Sequence, residues 1–252
     1  MKLSIVTINL NNISGLKKTV ESVLSQTFTD YEFIIIDGAS IDGSVDLIKQ
    51  NKKNISFWQS KKDGGIYNAI NQGIKKSNGE YVMFLHSGDY FLDEDSLNRV
   101  FNDKPDFDII YADAKRLNLS NNLIEVYEQP SILTELFFYR YSLCHQSMFF
   151  KRNLFDEFGF YREDLKIVSD WAFNLTVYIS GKCTWKHLPT PIVYYDVTGI
   201  SSNEIDILDK ERDLVLKDMF SEEHIEQLKK QFLFRQTLVG RILINLKIIR
   251  RF

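Results

Sequence analysis

The sequence predicts an α/β domain with a mostly parallel central sheet flanked by helices, followed by a helical C-terminal extension. Three observations carry that prediction. Short apolar runs alternate with segments of helical periodicity through the first hundred residues. A polar residue stands at the end of nearly every run, and from Glu204 onward the pattern reads as helix. Strand–helix alternation of this kind needs crossover connections, which make neighbouring strands parallel and cover both faces of the sheet.

Leu3–Ile8 is the first short apolar run. Gly15–Gln26 then carries Leu16, Val20, Val23 and Leu24 at helical spacing. Glu32–Asp37 reads as a buried strand ending on an acid, Gly43–Asn51 as a helix and Ile55–Gln59 as a third strand. Ile66, Ala69, Ile70, Gly73 and Ile74 mark one helix face, and Glu80–Leu85 is a fourth strand. Beyond Phe101 the pattern is less regular. Strands are predicted over Asp108–Ala112, Leu123–Tyr127, Ser147–Phe150, 184–188 and 192–195, a helix over Ser169–Ser180, and a polar loop over Asp196–Asn203. The simplest organisation is a catalytic domain over 1–203 and a helical extension over 204–252.

Composition narrows the function classes. The 252 residues are long enough to bury a core. Cys144 and Cys183 are the only cysteines, without metal-ligand spacing, which argues against a zinc site or a disulfide framework and for a reducing compartment. No apolar stretch reaches the length of a membrane span, and the N-terminal run is too short for a signal peptide, so a cytoplasmic location is expected. Charge is unevenly spread. Seven basic and no acidic residues lie between Lys229 and Phe252, leaving 24 basic against 34 acidic residues before them.

In sheets of this type ligands bind outside the carboxyl ends of the strands. Asn9 and Asn11, Asp37, Asp63 and Ser87–Asp89 follow successive strands, so the fold would gather them on one edge. They point to a nucleotide or cation site. The alternative for each is a polar residue in a wet loop. The stretch LHSGDYF (85–91) sharpens the choice, because Asp89 stands alone where a metal–diphosphate site often uses two acids one residue apart.

At this point the motifs resemble the family 2 glycosyltransferases, inverting enzymes of GT-A fold that build bacterial polysaccharides. SIVTINLNN is similar to that family's first strand, and IIIDGASIDGS (34–44) to its second-strand motif, with Asp37 and Asp42 at the two acids. In KDGGIYNAINQGIKKSNGEYVMFL, the residues Asp63, Gly65, Ile66, Tyr67, Ala69, Asn71 and Gly73 match the core of one subgroup. LHSGDYF falls where the family carries its Asp-x-Asp motif, with Ser87 in place of the first acid. Residues 143–173 resemble the acceptor-side segment, in which Ser169 replaces an acid and Asp170 matches the catalytic base. DVTGISS (196–202) is similar to a loop that closes over the donor. The resemblance spans roughly residues 1–203.

The resemblance implies sugar transfer from a nucleotide sugar, expected to be UDP-linked, to a hydroxyl of a glycan or lipid-linked oligosaccharide acceptor in surface polysaccharide assembly. It implies Asp170 as general base and Asp89 as ligand of Mg2+ or Mn2+, with the donor's phosphates completing the coordination. Asn9, Asn11, Asp37, Asp63, Gly65, Asn71, Ser87 and Gly88 are the expected donor-binding set. Competing structural roles are a turn acid for Asp89, a helix N-cap for Asp170 and strand-end turn capping for Asp37. His145 reads first as a structural histidine.

In the tail, Leu238, Ile242, Leu246 and Ile249 form an apolar stripe, with Gln236, Gly240, Lys247 and Arg250 broadly opposite. An in-plane helix on an anionic membrane surface and a helix docked on the domain or on a homo-oligomer partner are both open. The expected location is the cytoplasmic face of the cell membrane. Nucleic acid is a poor partner for this acidic body. Two rival functions remain: sugar-phosphate nucleotidyl transfer, for which the N-terminus lacks a glycine- and basic-rich phosphate loop, and a non-catalytic sugar-nucleotide-binding scaffold.

Overall fold

The structure, a computed structural model, describes residues 1–118, 123–197 and 204–245. Its first half is the expected alternation: β1 (Leu3–Asn9), α1 (Ile13–Leu24), β2 (Tyr31–Asp37), α2 (Ser44–Gln50), β3 (Phe57–Ser60), α3 (Ile66–Lys76) and β4 (Tyr81–Phe84). Then come β5 (Tyr90–Phe91), α4 (Ser96–Phe101), β6 (Ile109–Asn118), β7 (Leu123–Tyr127) and α5 (Glu135–Arg140). A 3-10 turn at His145–Ser147 leads into β8 (Met148–Lys151), α6 (Asn153–Glu157), α7 (Ser169–Ser180) and β9 (Trp185–Asp196). Three helices follow, α8 (Ile205–Met219), α9 (Glu222–Gln236) and α10 (Leu238–Asn245).

Among the described residues nine strands form one sheet, ordered β3-β2-β1-β4-β8-β6-β9-β5, with β7 paired to β6. The β3-β2-β1-β4 part is parallel, as crossover helices require. Beyond β4 the sheet is mixed. β8 runs antiparallel to both β4 and β6, while β6 and β9 are parallel. Local periodicity carries no information on strand direction, so only the assembled fold shows this reversal.

Alternate residues of the buried strands feed two apolar layers. Leu3, Ile5, Phe33, Ile35 and Met83 pack with Leu16, Val20 and Val23 of α1. On the other face Val6, Ile34, Ile36, Val82 and Phe84 pack with Ile70 and Ile74 of α3 and with Trp171 and Leu175 of α7. Val215 and Leu216 of α8 lie in this second layer, so the first helix after residue 203 shares the core of the sheet.

Some elements differ from the sequence expectation. The segments 184–188 and 192–195 are one strand, β9, continuous through Pro189 and Pro191, and its pairing with β6 shifts register near Asp113. The prolines interrupt the sequence pattern, while the irregular ladder absorbs their missing N–H groups. The C-terminal helical stretch breaks at Ser221, which caps α9 by accepting a hydrogen bond from His224 N–H, and again at Thr237. Of the tail stripe, Leu246, Lys247, Ile249 and Arg250 lie outside the described residues, as do residues 198–202 of the DVTGISS loop.

Candidate active site

The carboxyl ends of β1, β2 and β3 meet in register, Asn9 beside Asp37 and Asp37 beside Ser60. Asp37 is fully buried, and four donors converge on it. Asn9 Nδ2 (2.8 Å) and Ser40 Oγ (2.6 Å) donate to Oδ1, and Ser40 N–H (2.9 Å) and Ser60 Oγ (2.6 Å) to Oδ2. Burial alone would raise its pKa, but these hydrogen bonds outweigh it together and hold the carboxyl below its usual range. Asn11, in the left-handed region at φ 49°, donates its N–H to Ser40 Oγ and accepts from Ile41 N–H. The loops after β1 and β2 are thus locked to each other, and Asp42 adds to this by accepting from Ile13 N–H at 2.7 Å.

β1 is also where the strand order reverses, since β2 lies on one side of it and β4 on the other. The gap is bridged by Asn12. Its Oδ1 caps α1 by accepting from Gly15 N–H, and its Nδ2 donates to the Ser87 carbonyl at 3.0 Å. Gly88 holds φ 110°, a conformation open to glycine, and its N–H donates to Thr19 Oγ1. The Thr19 hydroxyl in turn donates to the Asp89 carbonyl at 2.7 Å, so α1 fixes the turn on which Asp89 sits.

Asp89 is only 6% exposed. Its Oδ1 accepts from Asp196 N–H at 3.1 Å and the Gln146 side chain hydrogen-bonds it, yet burial pushes its carboxyl up to about 7. The Asp196 carboxylate adds to that rise. The capping work in the following segment belongs to Asp93, which accepts from Asp95 N–H and pairs with Arg99. Asp89 thus does not cap the segment that follows it, although its carboxyl accepts from the backbone N–H groups of His86 and Asp196. Among the described residues no three His, Cys, Asp or Glu side chains converge as a metal cage. A buried carboxylate beside an amide and a second acid is nonetheless a donor set suited to a hard divalent ion whose other ligands come from phosphate and water.

Asp170 lies in the first turn of α7, whose N-cap position is Val168 with no side-chain cap bond, so the competing N-cap role falls away. The single Tyr67 hydroxyl hydrogen is shared between Asp170 Oδ1, 2.8 Å from Oη, and the Ile167 carbonyl. Burial raises the Asp170 pKa, against the lowering effect of Tyr67 and of Arg212. His86 senses the Asp170 charge and its ring lies 5.9 Å from that of His145. Burial drives both histidines down to about 3, so they are neutral. His145 stacks on Phe84 and its Nε2 lies 2.9 Å from Tyr161 Oη, a structural role. His86 Nδ1, by contrast, is buried with no hydrogen-bond partner among the described residues. Gln146 thus hydrogen-bonds Asp89, its chain neighbour His145 lies beside His86, and His86 is near enough to feel the charge of Asp170.

The remaining expected residues divide. Asp63 Oδ1 accepts from Gly65 N–H at 2.9 Å, and Gly38 lies so close that a Cβ there would meet Asp63 Oδ2 and Leu10 Cδ1. Gly65, at φ 110°, starts α3. Asn71 is not brought to the strand ends. Its Nδ2 donates to the Tyr161 carbonyl and Glu163 Oε1, and its Oδ1 accepts from Tyr161 N–H. Asp196, Gln146, Glu211 and Arg212 enter the site without having been singled out from the sequence. Asp196 and Gln146 sat inside quoted motifs, but the α8 pair lies beyond any motif.

Comparisons with known proteins show the family and the fold. The profile of "Glycosyl transferase family 2" matches residues 4–159. The chain belongs to that family and is a glycosyltransferase. It is 27% identical to the PGL/p-HBAD biosynthesis glycosyltransferase of Mycobacterium tuberculosis, over 82% of this chain and 81% of that one. An uncharacterized glycosyltransferase of the same species is 30% identical over 80% of this chain and 77% of its own length. Staphylococcus aureus TarS 1–349, solved in complex with UDP-GlcNAc, superposes with a TM-score of 0.69 at 18% identity, covering 99% of this chain and 77% of that one, which shows the shared GT-A fold.

Proposed function

We propose that the protein is a metal-dependent, inverting transferase that moves a sugar from a UDP-linked donor to a hydroxyl of a glycan acceptor, lipid-linked, in bacterial surface polysaccharide assembly. The observation that carries this reading is the pair of carboxylates on separate elements, Asp89 buried and Asp170 half-buried, both raised by their surroundings. Chemistry at an anomeric carbon needs a leaving diphosphate on one side and a base on the other, and two acids on separate elements meet that need. The names of two relatives support the class of product: PGL/p-HBAD biosynthesis for one M. tuberculosis protein, and poly(ribitol-phosphate) N-acetylglucosaminyl transfer for S. aureus TarP, 42% identical over 40% of this chain and 32% of that one.

In this reading Asn9, Asn11, Asp37 and Asp63 form the donor end of the pocket, with Gly65, Ser87 and Gly88 letting the backbone approach the nucleotide. Asp37 acts there mainly by fixing Asn9, Ser40 and Ser60. Asn71 supports the pocket from behind by tying α3 to residues 161–163. Asp89 would hold Mg2+ or Mn2+, which when bound stabilises charge on the leaving diphosphate. A mannosyltransferase of the same fold (TM-score 0.61, 12% identity) was solved with GDP-Man and Mn2+. Asp170 accepts the proton of the acceptor hydroxyl, and its raised pKa brings it nearer the working pH of a general base. Tyr67 and the backbone N–H groups at the start of α7 keep the carboxylate oriented towards the acceptor.

No helix among the described residues is long and apolar enough to cross a membrane. The extension instead exposes Leu238 (75%) and Val239 (58%) on α10, beside the exposed Leu233 and Phe234 of α9. These support a peripheral position on the cytoplasmic face, with the basic tail against anionic lipid.

The test is UDP release from a panel of UDP-sugars with Mn2+ or Mg2+. Metal-dependent release is expected from at least one donor, lost with chelator and reduced about 10²–10⁴-fold in Asp170→Asn. Release from none, or wild-type turnover by Asp170→Asn, contradicts the assignment.

A further inference from the structure

Helix α8 reaches back across the molecule to the segment that carries Asp170. The Glu211 carboxylate accepts three consecutive backbone N–H groups: Lys166 at 2.6 Å on Oε1, and Ile167 at 2.9 Å and Val168 at 3.3 Å on Oε2. The next residue, Arg212, lies over the Trp171 ring at 5.2 Å and donates from Nη1 to the Arg140 carbonyl at 2.7 Å. Its Nε is buried without a hydrogen-bond partner among the described residues, an arrangement that costs free energy unless the guanidinium's place is needed. Ile167 is therefore gripped from both sides, its N–H by Glu211 and its carbonyl by Tyr67. Val215 and Leu216, one turn further along α8, anchor the helix in the core that also holds Trp171.

We propose that Glu211 and Arg212 are positioning residues for the reaction: together they clamp residues 166–171 and so hold the Asp170 carboxylate where the acceptor hydroxyl must lose its proton. This rests on the reading of Asp170 as the base. The C-terminal helical extension thereby becomes part of the catalytic apparatus, whatever its outer helices do. Two features argue against a purely structural clamp. A single carboxylate that satisfies three successive N–H groups fixes a turn far more tightly than one capping bond. A half-buried cation over Trp171, within electrostatic reach of the acid, also biases the acid's ionisation, which packing alone would not require. The groups that face Asp170 are Tyr67 from α3, His86 from the turn after β4, Tyr161 from the loop before α7 and Arg212 from α8. With both tyrosines raised well above their ordinary value and His86 neutral, Arg212 is the one among these four that brings a charge.

The experiment uses the full chain and five variants: Glu211→Ala, Glu211→Gln, Arg212→Met, Arg212→Lys and Asp170→Asn. One readout needs no substrate. The Asp170 carboxyl carbon resonance, assigned by its loss in Asp170→Asn, is titrated by 13C NMR. The other is UDP release with Mn2+ from whichever of UDP-Glc, UDP-Gal, UDP-GlcNAc and UDP-GalNAc gives the highest wild-type rate. Arg212→Met, which keeps a stem over Trp171 but no charge, is expected to move the Asp170 midpoint and the acidic limb of kcat to higher pH. Arg212→Lys should restore both. Glu211→Ala should lower kcat about 10–100-fold with the donor KM unchanged, as expected for a misplaced base. Glu211→Gln, with one accepting oxygen left, should recover part of that loss and stands in for Glu211→Ala should the latter not fold. An unmoved Asp170 midpoint in Arg212→Met, together with wild-type kcat in the Glu211 variants and an inactive Asp170→Asn, overturns the inference and leaves the base assignment standing. A fully active Asp170→Asn overturns both.

Discussion

The hydroxyl of Tyr67 sits 2.8 Å from Asp170 Oδ1 and donates to it, although the two residues are 103 positions apart in the chain. Tyr67 belongs to the α3 motif and Asp170 to α7, so this hydrogen bond ties these two helices together. It stabilises the charged form of an acid that burial otherwise drives towards neutrality. Tyr67→Phe is therefore expected to raise the Asp170 pKa further. The acidic limb of kcat then moves to higher pH, and a hydrogen bond to a charged group worth about 1.5–3 kcal/mol is lost. A kcat–pH profile of the variant checks this, and an unmoved limb refutes it.

Asp89 is raised to about 7 chiefly by burial, and a cation needs its carboxylate. Below pH 7 the proton competes with the metal. Donor-free Mn2+ binding should therefore weaken by up to about tenfold per pH unit on the acidic side and level off above it. Calorimetric titration at pH 6, 7 and 8 measures this dependence. In Asp89→Asn both the affinity and its pH dependence should be lost.

Asp37 shows the opposite shift. Its folded-state pKa is depressed, so the stability it contributes is present above the unfolded carboxylate pKa and is lost as pH falls through the folded value. Asp37→Ala strands the donors of Asn9, Ser40 and Ser60 and should lower stability at pH 7 by at least about 1–3 kcal/mol. Urea denaturation at pH 7 and in the acid range tests this, with the gap to wild type narrowing in acid.

Gly73 faces β1 so closely that a Cβ would collide with Val6 Cγ1. Gly73→Ala should lose about 1–3 kcal/mol through overpacking, despite alanine's better helix propensity. A melting temperature equal to wild type would show that β1 and α3 can move apart.

Leu238 and Val239 form an exposed apolar pair at the start of α10. Replacing both with glutamate should abolish co-sedimentation with phosphatidylglycerol-containing vesicles while leaving UDP release unchanged. Vesicle binding equal to wild type would reject the membrane face.

Much of this molecule is written locally. Alternating runs set out β1 to β4 and their helices, because side-chain periodicity follows backbone geometry, and the parallel crossovers then bring Asn9, Asp37, Asp63 and Asp89 to one edge. Family motifs carried Asp170 as well. The sequence by itself therefore determined the half of the fold that holds the nucleotide end, and both candidate acids. It could not show that the sheet reverses beyond β4, that β9 runs through two prolines, or that Asn71 turns away to residues 161 and 163. Nor could it show that Asp196 comes beside Asp89, or that Glu211 and Arg212 hold the turn before Asp170. Those relationships join residues 40 to 110 positions apart, and only packing of the shared core decides which surfaces meet. The electrostatics follow from the same cause, since burial in the assembled fold raises both acids and no local pattern encodes it.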